Sequence, residues 1–264
     1  MVSMVGDPQQ KHDGTPSSKS LLAIPVGIKN KAAVDKLWDD LEWSRRAVHV
    51  SARGQTKWWF AKRFLHPDVV AEYDYVFLWD EDVEVDAFDP VRYLDVVRRE
   101  GLEVSQPALD RRSEIHHGIT ARATNGGGDV HRRFYKAAST LGGGGCDDRS
   151  TGPPCAGWVE MMVPVFSRAA WRCSWGMVQN DLVHAWGLDY KLGYCAQGDR
   201  TLKVGVVDSE YVLHRGVPTL GGTEGKGAAF RVAVRRRSFV EMQIFDRRWK
   251  EAAASDASWI DPYP

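Results

Sequence analysis

Residues 73–86 read YDYVFLWDEDVEVD, and the fold turns on how that run is taken. From Tyr75 to Trp79 every side chain is aromatic or aliphatic, the composition of a strand buried on both faces of a parallel sheet. The run stops at Asp80, Glu81 and Asp82. In open α/β sheets, ligands bind in the crevice beyond the carboxyl ends of the strands. Two carboxylates at i and i+2 on such an end can converge on a hard divalent cation, and Mg²⁺ or Mn²⁺ commonly joins one or two carboxylates to substrate phosphates. An acidic turn that solvates a strand end and leads to the next helix explains the same residues, because short acidic motifs recur by chance.

Upstream, residues 1–19 are polar and read as a disordered lead-in. Residues 21–28, LLAIPVGI, form a first strand with Pro25 at an edge or bulge, and residues 47–52 form a second by alternation. Residues 57–65, KWWFAKRFL, make an amphipathic helix that stops before His66-Pro67.

Downstream, Asp89-Pro90 is an N-cap and first-turn pair, and the helix it opens closes at Gly101. Strands are expected at 102–105, 115–121 and 158–166. Residues 122–157 are a loose loop whose Gly142–Gly145 run lacks the Lys-Ser/Thr of a phosphate loop. Ser167 caps a helix whose Trp171, Trp175, Val178, Leu182 and Trp186 form one packed stripe. Gly187 ends it, and Asp189 caps a short helix that ends at Gly193. Residues 204–207 and 210–214 are two strands or one bent strand, and residues 231–249 are a final helix with Phe239, Met242 and Phe245 on one face. Alternating strands and helices indicate an α/β three-layer sandwich with a mainly parallel central sheet, spanning residues 20–250 as a single domain before a tail at 251–264.

Lys plus Arg and Asp plus Glu are 35 each in 264 residues. No global basic field exists to hold a phosphate backbone, which argues against a nucleic-acid partner. Most of the 11 tryptophans fall in core-like patterns, and their number carries little functional weight. No apolar run is long enough to span a bilayer, and the first twenty residues lack the apolar centre of a signal peptide. Cys146, Cys155, Cys173 and Cys195 allow three pairings among which the sequence does not choose. The first two flank a Gly/Pro loop that they can close in an oxidising compartment, and free buried thiols fit equally.

A cation at Asp80 and Asp82 needs a further ligand from another element. His214, at the end of an apolar strand, is the candidate. Asp189, fixed after the Gly187 turn, is the candidate general base, with a plain N-cap as the alternative. Asp181 is a second candidate for that role, against a solvated helix face. Arg235-Arg236-Arg237 read as an exposed charge run and His116-His117 as strand surface.

Residues 20–250 resemble a plant family of unknown function, often labelled lysine-ketoglutarate reductase trans-splicing related. The resemblance rests on LLAIPVGIKNK, WDDLEWS (38–44), QTKWWFAKRFLHPD, YDYVFLWDED, GLEVSQPALD, GPPCAGWVE, QNDLVHAWGLDYKLGYCAQGDRT and VGVVDSEYVLHRG. No residue here supports the RNA processing or lysine catabolism that the label implies. More remotely, the order of features is similar to nucleotide-sugar transferases of the glycosyltransferase A-type fold. Those have a strand ending in an acidic metal motif, a W-G-x-D segment on the acceptor side and a late strand ending in histidine. Asp80 and Asp82 match the first feature, Asp189 the second and His214 the third.

That resemblance implies a metal-dependent transferase using a nucleotide-diphosphate sugar donor and a hydroxyl acceptor. Mn²⁺ or Mg²⁺ would be held by Asp80, Asp82 and His214, with Asp189 or Asp181 as base. The family resemblance also implies a Golgi-type anchor, which this sequence does not display, and an additional strand and loop between Val34 and Trp38, which it lacks. The missing segment implies an impaired donor pocket. A non-catalytic module on the same fold that binds glycans or proteins is the alternative.

Overall fold

The computed structural model describes residues 18–27, 48, 50–52, 54–123, 128–138, 144–214 and 227–263. Its sheet contains β1 (Ser20–Ala23), β2 (Tyr75–Leu78), β3 (Val83–Glu84), β4 (Val104–Leu109), β5 (Val130–His131), β6 (Val165–Ser167) and β7 (Val204–His214). Their order is β1-β2-β6-β4-β7-β3, with β5 pairing β7 off that path. The helices are α1 (Lys57–Phe64), α2 (Pro90–Arg99), α3 (Arg168–Met177), α4 (Asp189–Leu192), α5 (Arg200–Lys203) and α6 (Gly227–Ser255).

The 75–79 reading holds, and its alternation shows why. Val76 and Leu78 enter one core with Trp58 and Ala61 of α1 and Ala170 and Trp171 of α3. Phe77 and Trp79 enter a second core with Tyr93, Leu94, Val96 and Val97 of α2. Successive side chains of a strand point to opposite faces, so helices cover β2 on both sides. Trp171 and Trp175 fasten α3 to α1 by donating indole N–H bonds to Leu65 O at 2.8 Å and Lys62 O at 3.2 Å.

The expectation of a mainly parallel sheet is corrected: the sheet is mixed. β1 with β2 and β4 with β7 are parallel, whereas β6 runs antiparallel between β2 and β4, and β3 and β5 run antiparallel to β7. Parallel neighbours require a crossover back to the starting edge. After β4 no α-helix makes that crossover before β6 among the described residues. Between them the chain adds β5 antiparallel to β7, and β6 then enters antiparallel to both β2 and β4.

Local signals fare according to how local they are. The Asp89 carboxylate caps α2 by accepting from Val91 N at 2.8 Å and Arg92 N at 3.1 Å, and Gly101 follows its end at φ +62°. Ser167 caps α3 as expected. The tryptophan stripe does not stay one helix: α3 ends at Met177, and Val178 N turns back to the Ser174 and Trp175 carbonyls. Leu182, Ala185 and Leu188 rejoin the core from turns.

Residues 115–121 contain a 3₁₀ turn (Gly118–Thr120) instead of a strand, and only Val165 and Phe166 of the 158–166 run are strand, in an element that extends to Ser167. Residues 204–214 are one bulged strand whose pairing with β4 jumps from Val207 to Tyr211. The first strand ends at Ala23, and residues 48 and 50–52 of the expected second strand are not strand. Residues 47 and 49, and the whole region around residues 34–38, lie outside the described residues.

Disulfides join Cys146 to Cys155 and Cys173 to Cys195. The first closes the Gly/Pro loop, and the second ties α3 to the turn after α4. Beyond α6 the chain packs back: Tyr263 Oη accepts from Arg200 N at 2.8 Å, and Tyr194 Oη donates to Asp261 at 3.0 Å. No described helix is long and apolar enough to cross a membrane.

Candidate functional site at the carboxyl ends of the central strands

The acidic turn is held rigidly where β2 ends. Trp79 N donates to Ala23 O at 3.1 Å and Asp80 N to Met162 O at 2.9 Å. The chain then pairs as β3 with the end of β7, in a register that sets Val83 opposite His214. That short pairing brings Asp82 to the late histidine: Asp82 Oδ2 lies 3.2 Å from His214 Nε2, with both side chains largely buried. The Asp82 hydrogen bond raises the His214 imidazole above its ordinary value, against partial burial, and Asp80 and Glu160 add to the rise. His214 N donates to Ser113 Oγ at 3.0 Å, fixing the strand end from the other side.

Asp80 takes a different partner. Its Oδ1 lies 2.6 Å from Lys57 Nζ, which also donates to Met161 O at 2.5 Å and Met162 O at 3.3 Å. Three acceptors satisfy the three N–H bonds of an ammonium, so Lys57 is a saturated buried cation beside the acidic turn. Among the described residues no group of three or more His, Cys, Asp or Glu side chains could hold a metal ion as it stands. The structure brings Asp82 and His214 together and leaves Asp80 with Lys57.

Asp189 is not the cap of its helix. The cap position is Leu188, Asp189 is the first helical residue, and its Oδ1 is buried without a hydrogen-bond partner. Burial pushes its carboxyl up to about 6, while neighbouring backbone N–H groups and the Trp158 indole favour the charged form. The indole Nε1 lies outside hydrogen-bonding geometry and is itself unpartnered. Two left-handed residues, Ala185 at φ 55° and Gly187 at φ +93°, set this turn. Asp181 is elsewhere in its contacts: exposed, it pairs with Arg248 Nη1 at 3.0 Å and Nη2 at 2.8 Å. That pairing holds its carboxyl below the usual range.

Glu160 is the residue the sequence reading missed. Its backbone N donates to the buried Gln106 Oε1 of β4 at 2.6 Å, and its Oε2 is buried and unpartnered. Burial raises its carboxyl; His116, Thr120 and His214 oppose that rise and Asp189 adds to it. Glu160 therefore lies within electrostatic reach of both His214 and Asp189. The signal was one acid inside the apolar run GWVEMMVPVF, which reads as strand. His117 is not strand surface; its ring packs edge-on to Trp158 at 4.4 Å. Arg235, Arg236 and Arg237 are exposed as expected, with Arg237 paired to Glu241.

His214 Nδ1 is a third buried, unpartnered atom. Beside it opens a cleft of about 400 Å³ lined by Arg112, Ser113, Glu114, Leu213 and His214. That volume is in the range of small-molecule sites. No curated protein matches the chain. Residues 36–255 match the family model described as "Protein of unknown function (DUF707)", and the chain belongs to that family.

Proposed function

We propose that this chain is a metal-dependent, glycosyltransferase-like protein that takes a nucleotide-diphosphate sugar at the carboxyl ends of β2 and β7. The observation that carries the reading is the Asp82–His214 pair, with the His214 Nδ1 left buried and unpartnered. Asp82 Oδ2 and His214 Nε2 face each other at 3.2 Å, so an ion entering between them would be held by both, the imidazole giving up its Nε2 proton as it binds. The donor set of two carboxylates and an imidazole suits Mn²⁺ or Mg²⁺. Asp80, Asp82 and His214 would hold the ion, and it would supply charge neutralisation for a departing diphosphate.

The remaining roles fall to the chain itself. In an inverting transfer the acceptor hydroxyl oxygen bonds to the anomeric carbon. The bond from that carbon to the diphosphate oxygen breaks, and the diphosphate leaves with its electron pair. The hydroxyl proton passes to the Asp189 carboxylate, whose buried position and pKa of about 6 suit a base at neutral pH. Lys57 keeps Asp80 oriented and neutralised until the site is loaded.

A second reading, a non-catalytic glycan- or protein-binding module on this fold, is favoured by the Lys57–Asp80 pair, which occupies one expected ligand. Calorimetric titration with a panel of nucleoside diphosphates, with and without Mn²⁺, separates the two. Binding that requires Mn²⁺ and is lost in Asp80→Asn supports the transferase. Absence of nucleotide binding in both conditions supports the module.

A further inference from the structure

β4 and β7 are parallel neighbours, and the turn after β4 is bonded to the end of β7. Asp110 N donates to Val212 O at 2.8 Å, and His214 N to Ser113 Oγ at 3.0 Å. Open α/β sheets take ligands in the crevice outside such carboxyl ends. The cleft of about 400 Å³ opens there, lined by Arg112, Ser113, Glu114, Leu213 and His214.

This lining selects among ligand classes. Arg112 and Glu114 carry one charge of each sign, and Asp110 already pairs with the Arg112 guanidinium. No net positive charge is left for a phosphate or a carboxylated ligand. Among the described residues no Trp, Tyr or Phe lines the cleft, so a nucleobase finds no aromatic platform, and Leu213 is too little apolar surface for a lipid chain.

What the cleft offers is hydrogen bonding in both senses. Asp110 takes two of the five N–H bonds of a guanidinium, from Nε at 2.9 Å and Nη2 at 3.1 Å, and so orients the fork. Ser113 Oγ accepts from His214 N and keeps its own O–H to donate. The Glu114 carboxylate lies 3.9 Å from the His116 ring, too far for a hydrogen bond, and supplies acceptors. A ligand with several hydroxyls, each both donor and acceptor, matches this mixed set.

We propose that the cleft holds an uncharged sugar ring, its hydroxyls bonded to Glu114, Arg112 and Ser113 and its C–H face against Leu213. The assignment rests on the sugar-transfer reading above and names the class of sugar. The donor and the acceptor are two sources of that ring.

The test is calorimetric titration of the whole chain with MnCl₂ present. The probes are UDP and GDP, the uncharged donors UDP-glucose, UDP-galactose and GDP-mannose, the charged UDP-glucuronate, and methyl glycosides of the uncharged sugars. Wild type, Glu114→Ala, Arg112→Met and the charge-matched control Arg247→Met are compared, with thermal melts of each. An uncharged sugar is expected to add affinity over the bare diphosphate, which assigns the donor's sugar to the cleft, or to bind as the methyl glycoside, which assigns the acceptor's. Glu114→Ala and Arg112→Met should each weaken that sugar binding about tenfold and leave bare UDP or GDP binding unchanged. Should Arg112→Met unfold through the unpaired Asp110, Glu114→Ala decides, since its side chain is 66% exposed. Wild-type sugar affinity in folded Glu114→Ala, no gain from any sugar, or tighter binding of UDP-glucuronate than of UDP-glucose overturns the assignment; UDP or GDP binding then leaves the nucleotide reading standing. Methyl glycoside binding that Glu114→Ala weakens, without nucleotide binding, upholds the cleft and overturns the transferase reading. Silence of every probe overturns both.

Discussion

Asp82 Oδ2 and His214 Nε2 stand 3.2 Å apart because the two-residue strand after the acidic turn pairs with the last residues of β7. The contact joins the end of one central strand to the end of another. Two residues before Asp82, Asp80 meets an ammonium that is fully used, while the second ring nitrogen of His214 has no partner.

Removing the resident ammonium should open the site to metal. Lys57→Met frees Asp80 Oδ1, which is now 2.6 Å from Nζ. Mn²⁺ affinity is expected to rise several-fold, while the fold loses about 1–3 kcal/mol through the unpaired Asp80 and the released carbonyls of Met161 and Met162. Parallel Mn²⁺ titration and urea unfolding check this; unchanged affinity would show that Lys57 does not compete for the site.

Asp189→Asn should trade activity for stability. The folded carboxyl keeps its proton to about pH 6, whereas the unfolded one loses it near 3.8. The folded state thus binds more protons between those values, and stability falls as pH rises through that window. The neutral amide removes this, so at pH 7 the variant should be more stable, by up to about 3 kcal/mol. Chemical unfolding at pH 4 and pH 7 is the measurement, and equal wild-type stability at both would contradict the burial argument.

His131 supplies a second pH dependence. Its Nδ1 lies 2.7 Å from Asp208 Oδ2 and its Nε2 2.5 Å from Ile119 O. Both partners are acceptors, so both nitrogens carry protons. Burial acts to lower its pKa, but the Asp208 hydrogen bond and charge prevail and raise it. The pair's contribution is therefore full below pH 6.5 and is lost as pH rises through the raised value. Asp208→Asn should lower the melting temperature most in mild acid, with the gap to wild type narrowing above neutrality.

The two disulfides should differ in weight. Cys173–Cys195 closes the longer loop and ties α3 beneath the Asp189 helix, with Cys195 fully buried; Cys146–Cys155 closes a short surface loop. Loss of the former should cost about 3 kcal/mol and loss of the latter less. Thermal melts of the paired Cys→Ser variants measure the difference, and an equal loss would contradict the ranking.

What the sequence revealed follows the range of the interactions. The β2 run, the Asp89 cap and the end of α2 at Gly101 depend on neighbours a few residues apart, and all are found where the pattern places them. The direction of β6 depends on where residues 110–164 travel, which no local period encodes. The break after Met177 was hidden because Leu182, Ala185 and Leu188 bury themselves from turns while keeping near-helical spacing. At the site, His214 and the two acids could be named from strand ends, but the hold of Lys57 on Asp80 could not. Glu160 escaped because one acid in an apolar run resembles an irregular strand, and the burial that raises its carboxyl depends on the fold.

The most direct test of the central claim is anomalous diffraction from crystals soaked in MnCl₂. A single strong peak is expected within coordination distance, about 2.0–2.3 Å, of His214, with the Asp80 and Asp82 carboxylates in its shell. A peak elsewhere with the Asp82–His214 pair undisturbed, or no peak at saturating metal, would contradict it.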